Sequence, residues 1–412
     1  MIATEPVPLW TVDTPATWPE APAEMTITTL SEIEACPRRW ALAAAEYPEL
    51  WSGHGYPPRL QLSALVGTIV HLALQTITRK LVQAACSSVQ DQNGPKVMKE
   101  LGGYTKVVHD CIDRVLHRFT NNPRALPLLE SANRSLRART PELRTRIQTM
   151  LCRVRLPPLQ TVRAEMRESK LRAPLTIGAF TEIELRATHI GWKGKADMLV
   201  LSDETCEITD VKTGMPEERH QFQVQVYALL WCRDEELNPN HRRADRLVLR
   251  YSDEDVQVAA PTAVQLEEIE RNIVARRDAA LQTASQRPPE ARPNRENCRY
   301  CGVRHLCDKY WTPETQFVIG ADQRFTDAEV SITGRHGPSS WDAVVKLSAH
   351  SKAGTRAVLR THHELEFRVN DCLRIIEAAI AGGDDEQPVV FTLFAVSEVY
   401  SVRSGGTATK AS

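Results

Sequence analysis

Apolar residues are dense from Leu62 to Val82 (LSALVGTIVHLALQTITRKLV), and a run of this length predicts a buried helix of about six turns. From Tyr104 to Lys170 the pattern stays helical but turns polar. Three short runs follow, Thr181–Thr188, Gly194–Leu201 and Cys206–Lys212, separated by turn residues, and they predict strands. Arg219–Arg233 predicts a helix, Leu247–Tyr251 and Val256–Ala260 two more strands, and Thr262–Ala284 a helix capped by its threonine just after Pro261. Prolines mark Gln286–Arg295 as a loop. Strands bracketed by helices predict an α/β domain with a small central sheet flanked by helices.

The 412 residues, 42% hydrophobic and 25% charged with a net charge of -1, have an ordinary globular composition with room for two or three domains. No uninterrupted apolar run approaches 18 residues, which predicts no membrane span. Residues 1–24 are acidic and proline-rich, with neither a basic nor an apolar leader region, so a flexible tail and a cytoplasmic location are expected. No fixed-period repeat and no phosphate-binding G-x-x-x-x-G-K-[ST] loop occur, so the chain carries no ATP motor of its own. Between Tyr104 and Lys170 fourteen basic residues face six acidic ones. Two readings fit: a solvated helical face, or a wall that contacts phosphates.

Candidate chemistry concentrates on the predicted strands. Asp210 and Lys212 stand two apart on one strand and so point to the same face. Asp197 begins the preceding strand in Gly194-Lys195-Ala196-Asp197, where the glycine permits close backbone approach. Two carboxylates and an amine could converge at one sheet edge, a set of hard oxygen donors suited to Mg²⁺ or Mn²⁺, which would stabilise a phosphoryl charge and activate a water. The lysine would hold that water or offset the developing charge. Taken alone, Asp-x-Lys is also what an exposed ion pair looks like. Gln223 and Tyr227, at i and i+4, share a face of the following helix, and Gly67 and His71 do so on the first.

This ordered set resembles the RecB-like branch of the PD-(D/E)XK nuclease superfamily: Gly67…His71, Gly194-Lys195-Ala196-Asp197, Asp210-Val211-Lys212-Thr213-Gly214 and Gln223…Tyr227. The resemblance implies a restriction-endonuclease-like core with a helical insertion. It implies that His71, Asp197 and Asp210 bind the divalent metal, Mg²⁺ or Mn²⁺, and that Lys212 serves the attacking water. Gln223 and Tyr227 would support the site or touch DNA. Thr209 departs mildly from the bulkier apolar residue usual before the second aspartate.

Cys298, Cys301 and Cys307 form C-x₂-C-x₅-C, and Cys36, followed by Pro37, is the candidate fourth thiol. Clustered thiols in a reducing compartment point to a metal centre, and spacing alone suits either tetrahedral zinc or a [4Fe–4S] cluster. Similarity to the iron–sulfur nucleases of the AddB and CRISPR-associated RecB-like type implies the [4Fe–4S] cluster. Its purpose would be to staple a loop of roughly 260 residues, removing several kcal/mol of unfolded-state entropy. Cys86, Cys111, Cys152, Cys206, Cys232 and Cys372 lack ligand spacing and are expected as small buried hydrophobes.

Beyond the nuclease-like region, 25–310, residues 311–403 read as a separate β-rich domain and 404–412 as a flexible tail. Arg324–Gly334, Trp341–Ser348, Gly354–Thr361 and Val389–Tyr400 predict strands, and Phe367–Gly382 a helix. A small barrel interrupted by one helix after its third strand resembles an OB-fold, suited to holding single-stranded nucleic acid or docking a partner. The expected activity is a Mg²⁺- or Mn²⁺-dependent DNA nuclease, an exonuclease on DNA ends or single strands, with a helicase or recombination partner and no membrane. The alternative is a non-catalytic DNA-binding accessory subunit of a helicase or repair complex, which a broken metal set would mark.

Overall fold

The computed structural model describes residues 10–11, 15, 17–157, 172–320, 325–361, 365–382 and 387–402. The strands are β1 (Trp10–Thr11), β2 (Gly178–Ala187), β3 (Trp192–Leu201), β4 (Cys206–Val211), β5 (Arg246–Arg250), β6 (Asp255–Val258), β7 (Phe325–Gly337), β8 (Ser340–Ser348), β9 (Arg356–Arg360), β10 (Cys372–Ala381), β11 (Val389–Thr392) and β12 (Glu398–Ser401). The helices are α1 (Ile27–Ala35), α2 (Pro37–Ala44), α3 (Leu62–Gln83), α4 (Gly94–Glu100), α5 (Gly103–His117), α6 (Leu129–Ala138), α7 (Thr140–Leu151), α8 (Glu218–Arg233), α9 (Ala263–Ala284), α10 (Arg295–Arg299) and α11 (Pro313–Gly320).

A mixed sheet of order β2-β3-β4-β5-β6 forms the first domain's centre, with β4 and β5 parallel and the other pairs antiparallel. Alternation along β3 and β4 sends side chains into two cores. Leu199, Cys206 and Ile208 join α1, α8 and α9 on one face, while Met198, Val200 and Val211 join α3, α5 and α7 on the other. The parallel β4–β5 pair needs a crossover, and α8 supplies it, which places Gln223 and Tyr227 above the strand that carries Asp210. Thr262 caps α9 reciprocally with Gln265, as the sequence predicts.

By length and mean apolar content alone α3 would also suit a bilayer, though polar residues such as Thr68, His71 and Gln75 interrupt its apolar run. Its Leu65, Ile69, Val70, Ala73 and Ile77 are instead buried against α5 and α7. The four acids between α5 and α7 are all ion-paired within the stretch: Lys106 pairs with Asp110, Arg134 with Glu130, Arg137 with Asp113, and Arg139 and Arg146 with Glu142, while Arg124 and Arg153 pair with Glu398 and Asp255 outside it. Arg163, Arg167 and Lys170 lie outside the described residues.

The expected N-terminal tail is held at several points. Trp10–Thr11 pairs in parallel with β12, Arg38 lies 5.6 Å from the Trp18 ring, and Lys193 pairs with Glu24. The expected tail 404–412 lies outside the described residues.

The second domain is a closed five-stranded barrel, β7-β8-β9-β11-β10 and back to β7, with β9 and β11 parallel. Its core is a separate cluster around Val330, Trp341, Leu359, Ile375 and Phe391. The predicted helix Phe367–Gly382 is corrected: this segment supplies β10. The predicted strand Val389–Tyr400 is two strands, β11 and β12. A bulge at Glu377, whose φ is +61°, interrupts the alternation: Ile375 is buried in the barrel core and Ile376 in the cluster with Tyr310, Trp311 and Tyr400, so the buried positions 373, 375, 376 and 378 imitate helical spacing.

The barrel is ion-paired to the first domain. Arg304 donates to Asp327 at 2.6 Å and approaches Glu377, Tyr310 donates to the same Asp327 at 2.7 Å, and Arg124 forks onto Glu398 with both contacts at 2.9 Å. His305 stacks on Tyr400 with ring centres 3.9 Å apart.

Candidate metal centre and cysteine clamp

Asp210 lies on the central strand β4 and is 3% exposed. Its Oδ2 is 2.8 Å from Lys212 Nζ, as same-face geometry requires, yet takes no aligned hydrogen bond among the described residues. Burial and the neighbouring Asp197 charge push its carboxyl up to about 6, against the opposing pull of Lys212 and His71. Lys212 also donates to Gln223 Oε1 at 2.7 Å, and Gln223 Nε2 donates to the Tyr227 hydroxyl at 2.7 Å. Burial also raises the Tyr227 hydroxyl, so it is neutral and a competent donor. Asp210, Lys212, Gln223 and Tyr227 thus form one polar chain from β4 to α8.

Close approach of α8 depends on Gly194. A Cβ there would meet Leu230 Cδ1 and Tyr227 Cε1, each at 2.8 Å, and would push Tyr227 away from the site. At Gly67 a Cβ would stand 3.0 Å from Thr213 Oγ1, so the loop after Lys212 rests against α3. Thr209 is fully buried and bonds Glu207 at 3.3 Å, so the mild departure there is accommodated.

Asp197 is clamped from two sides. Its Oδ2 accepts the Val211 amide at 2.6 Å, and its Oδ1 lies 3.2 Å from His71 Nδ1. Burial opposes a charged His71, but the Asp197 hydrogen bond and the charges of Asp197, Asp210 and Glu182 outweigh it and raise its pKa. Donor atoms of His71, Asp197 and Glu182 all lie within 4.8 Å of one another. This set differs from the sequence set, which had Asp210 as the third ligand. Asp210 stands beside the cluster, turned to Lys212. Glu182 was missed, and nothing in the alternating run Thr181-Glu182-Ile183-Glu184 distinguishes it from Glu184. The buried orphan oxygen of Asp210 and the imidazole and carboxylate donors suit a hard divalent cation.

Cys36, Cys298, Cys301 and Cys307 line one small cavity. Cys36 sits between α1 and α2, with Pro37 opening the second, while Cys298 is on α10 and Cys307 follows a short helical turn. Burial pushes the Cys298 thiol up to about 11 and Cys301 to about 12, and raises Cys307, so a positive centre would be needed to hold them as thiolates. Arg38, Arg39, Arg292 and Arg304 surround the cavity. The two halves are also joined directly: the Arg292 amide donates to Cys36 Sγ at 3.4 Å, Asn297 donates to the Ala35 carbonyl at 2.7 Å, and Arg38 pairs with Asp308 at 2.6 Å. Among the other cysteines, Cys86, Cys111, Cys206 and Cys232 are buried as expected, Cys372 is half-buried, and Cys152 is exposed.

Residues 24–308 match the model of the PD-(D/E)XK nuclease superfamily, and the chain belongs to that superfamily, whose members are usually hydrolytic nucleases that use divalent metals. A solved structure described as the crystal structure of SSO0001 is 25% identical over 32% of this chain, with a TM-score of 0.22; the match covers 62% of that structure's length. No curated protein matches.

Proposed function

We propose that this protein is a Mg²⁺- or Mn²⁺-dependent deoxyribonuclease of the RecB-like branch, acting as an exonuclease on DNA ends or single strands. The observation that carries the reading is the juxtaposition of a three-donor cluster, His71, Glu182 and Asp197, with the Asp210–Lys212–Gln223–Tyr227 chain across the neighbouring strands β3 and β4. A divalent ion held by the cluster and by Asp210 would supply charge stabilisation at the phosphoryl oxygens and acidify a water. Lys212, oriented by Gln223, would align the nucleophilic water and take part in its deprotonation. Gln223 and Tyr227 fix the lysine's direction and do not themselves need to touch the phosphate. The non-catalytic accessory reading is disfavoured because no member of this set is missing.

The four cysteines lining one cavity, together with the resemblance to iron–sulfur nucleases, support a structural [4Fe–4S] cluster over zinc. The encircling arginines Arg38, Arg39, Arg292 and Arg304 suit the negative charge of such a cluster. Reading the barrel as OB-like is supported by its strand order, in which the first strand pairs with the second and the fourth and the third runs parallel to the fifth. A helicase or recombination partner remains part of the proposal, because the chain has no motor motif.

Incubation of end-labelled linear DNA with anaerobically prepared protein and Mn²⁺ tests the activity. Metal-dependent loss of label is expected. Intact DNA bound by a brown protein would move the assignment to the accessory subunit.

A further inference from the structure

A groove of about 490 Å³ runs between the nuclease domain and the barrel, on the side where α3 begins. Its walls are mostly apolar, and two aromatic rings open onto it: Tyr300, 69% exposed, and Phe394, 40% exposed. Arg299 is exposed beside the first ring, its guanidinium carbon 5.3 Å from the ring centre. The acids at the groove's floor are already neutralised. Glu377 pairs with Arg59 at 2.6 Å, and Glu398 with Arg124 at 2.9 Å. A strand of phosphates therefore meets no uncompensated carboxylate there.

The groove and the candidate metal centre lie along one face of α3. Ser63 lines it, and Ser63, Gly67 and His71 follow one another at four-residue spacing along one face of α3. Gly67 in turn adjoins Thr213, next to Lys212. Eight residues of helix separate Ser63 from His71, about 12 Å. At the stacked rise of 3.4 Å per nucleotide this is about four nucleotides.

Building on the nuclease reading, we infer that this groove is the entry track for a single-stranded nucleic acid whose leading end reaches the metal centre. Tyr300 and Phe394 offer stacking surfaces for successive bases, and Arg299 faces the adjoining backbone. Stacking on a ring needs no base identity, so the track is indifferent to sequence. Flat bases suit an apolar slot with exposed rings, and the groove's place on the α3 face that carries His71 favours a strand over a peptide occupant.

The test uses the full chain carrying Asp210→Asn, which prevents turnover, and labelled oligothymidine strands of increasing length read by fluorescence anisotropy. Tyr300→Ala and Phe394→Ala are each expected to weaken binding of long strands by about tenfold. The loss should shrink as strands shorten towards about four nucleotides. Tyr300→Leu and Phe394→Leu, which keep apolar bulk without a ring, should lose as much as the alanine variants. Strands containing bromouracil should cross-link to Tyr300 or Phe394 on irradiation, mapped by mass spectrometry. Unaltered binding in all four variants with cross-links elsewhere overturns the track, and makes the groove a site for an apolar protein segment instead. A parent that cuts DNA while the groove variants bind normally refutes the track alone. A parent that neither cuts nor binds refutes the nuclease reading and the track together.

Discussion

Glu182 stands across the ladder from Asp197, between the paired positions Thr181–Met198 and Ile183–Ala196, but is itself unpaired because its φ is +56°. A left-handed conformation at a side-chain-bearing residue costs of order 1 kcal/mol or more and persists only where the surroundings enforce it. Here it accompanies a carboxylate brought within 4.8 Å of His71 and Asp197.

Glu182→Gly should therefore separate stability from function. Glycine adopts the left-handed conformation freely, so the metal-free melting temperature is expected to hold or rise, by an amount equivalent to up to about 1 kcal/mol. The Mn²⁺ concentration for half-maximal cleavage should rise at least tenfold. Unaltered metal dependence in this variant would remove Glu182 from the centre.

Asp210 makes the metal-free fold pH-dependent. Its carboxyl is raised from an ordinary 3.8 to about 6, so between these values the folded chain binds more protons than the unfolded one, and stability falls as pH rises through that window. At pH 7 the penalty is on the order of 3 kcal/mol or less. Asp210→Asn mimics the neutral acid and should raise the metal-free melting temperature at pH 7, with the advantage vanishing near pH 4. An equal effect at both pH values would refute the assigned burial cost. Mn²⁺ should stabilise the parent strongly and the variant weakly, by mass action on the folded state.

Tyr227→Phe removes the hydroxyl that accepts from Gln223 and leaves the ring packed against Gly194. A roughly tenfold fall in kcat is expected, with the metal requirement nearly unchanged, because the residue acts through Gln223 and Lys212. A large shift in metal affinity instead would mean that Tyr227 helps to shape the metal centre.

Several of these relationships were legible in the sequence because they depend on local spacing. Asp210 and Lys212 share a face through strand alternation, and Gln223 and Tyr227 share one through helical periodicity. Gly194 signalled the close approach that α8 makes. Glu182 was not legible, since only the cross-strand register with Asp197 sets it apart from Glu184. The strand β10 was misread for a different reason: its bulge breaks the period of two, and closure between β7 and β11 overrides the helical propensity of Leu373, Ala378 and Ala379.

Arg304 joins the cysteine clamp to the barrel, through the Cys301 carbonyl on one side and buried Asp327 on the other. Arg304→Met strands Asp327 with only the Tyr310 hydroxyl and the Glu377 amide, and a loss of about 3–5 kcal/mol is expected. Adding Asp327→Leu should recover part of it. A single variant with an unaltered melting temperature would contradict the coupling of clamp and barrel.

The central claim is that the Asp210–Lys212 strand and its neighbouring donors cut phosphodiester bonds. Its most direct test compares parent, Asp210→Ala and Lys212→Ala on end-labelled linear DNA with Mn²⁺, after circular dichroism has shown all three folded. Cleavage by the parent, with at least a thousandfold loss in both variants, is the predicted result. Full-rate cleavage in either variant would contradict it.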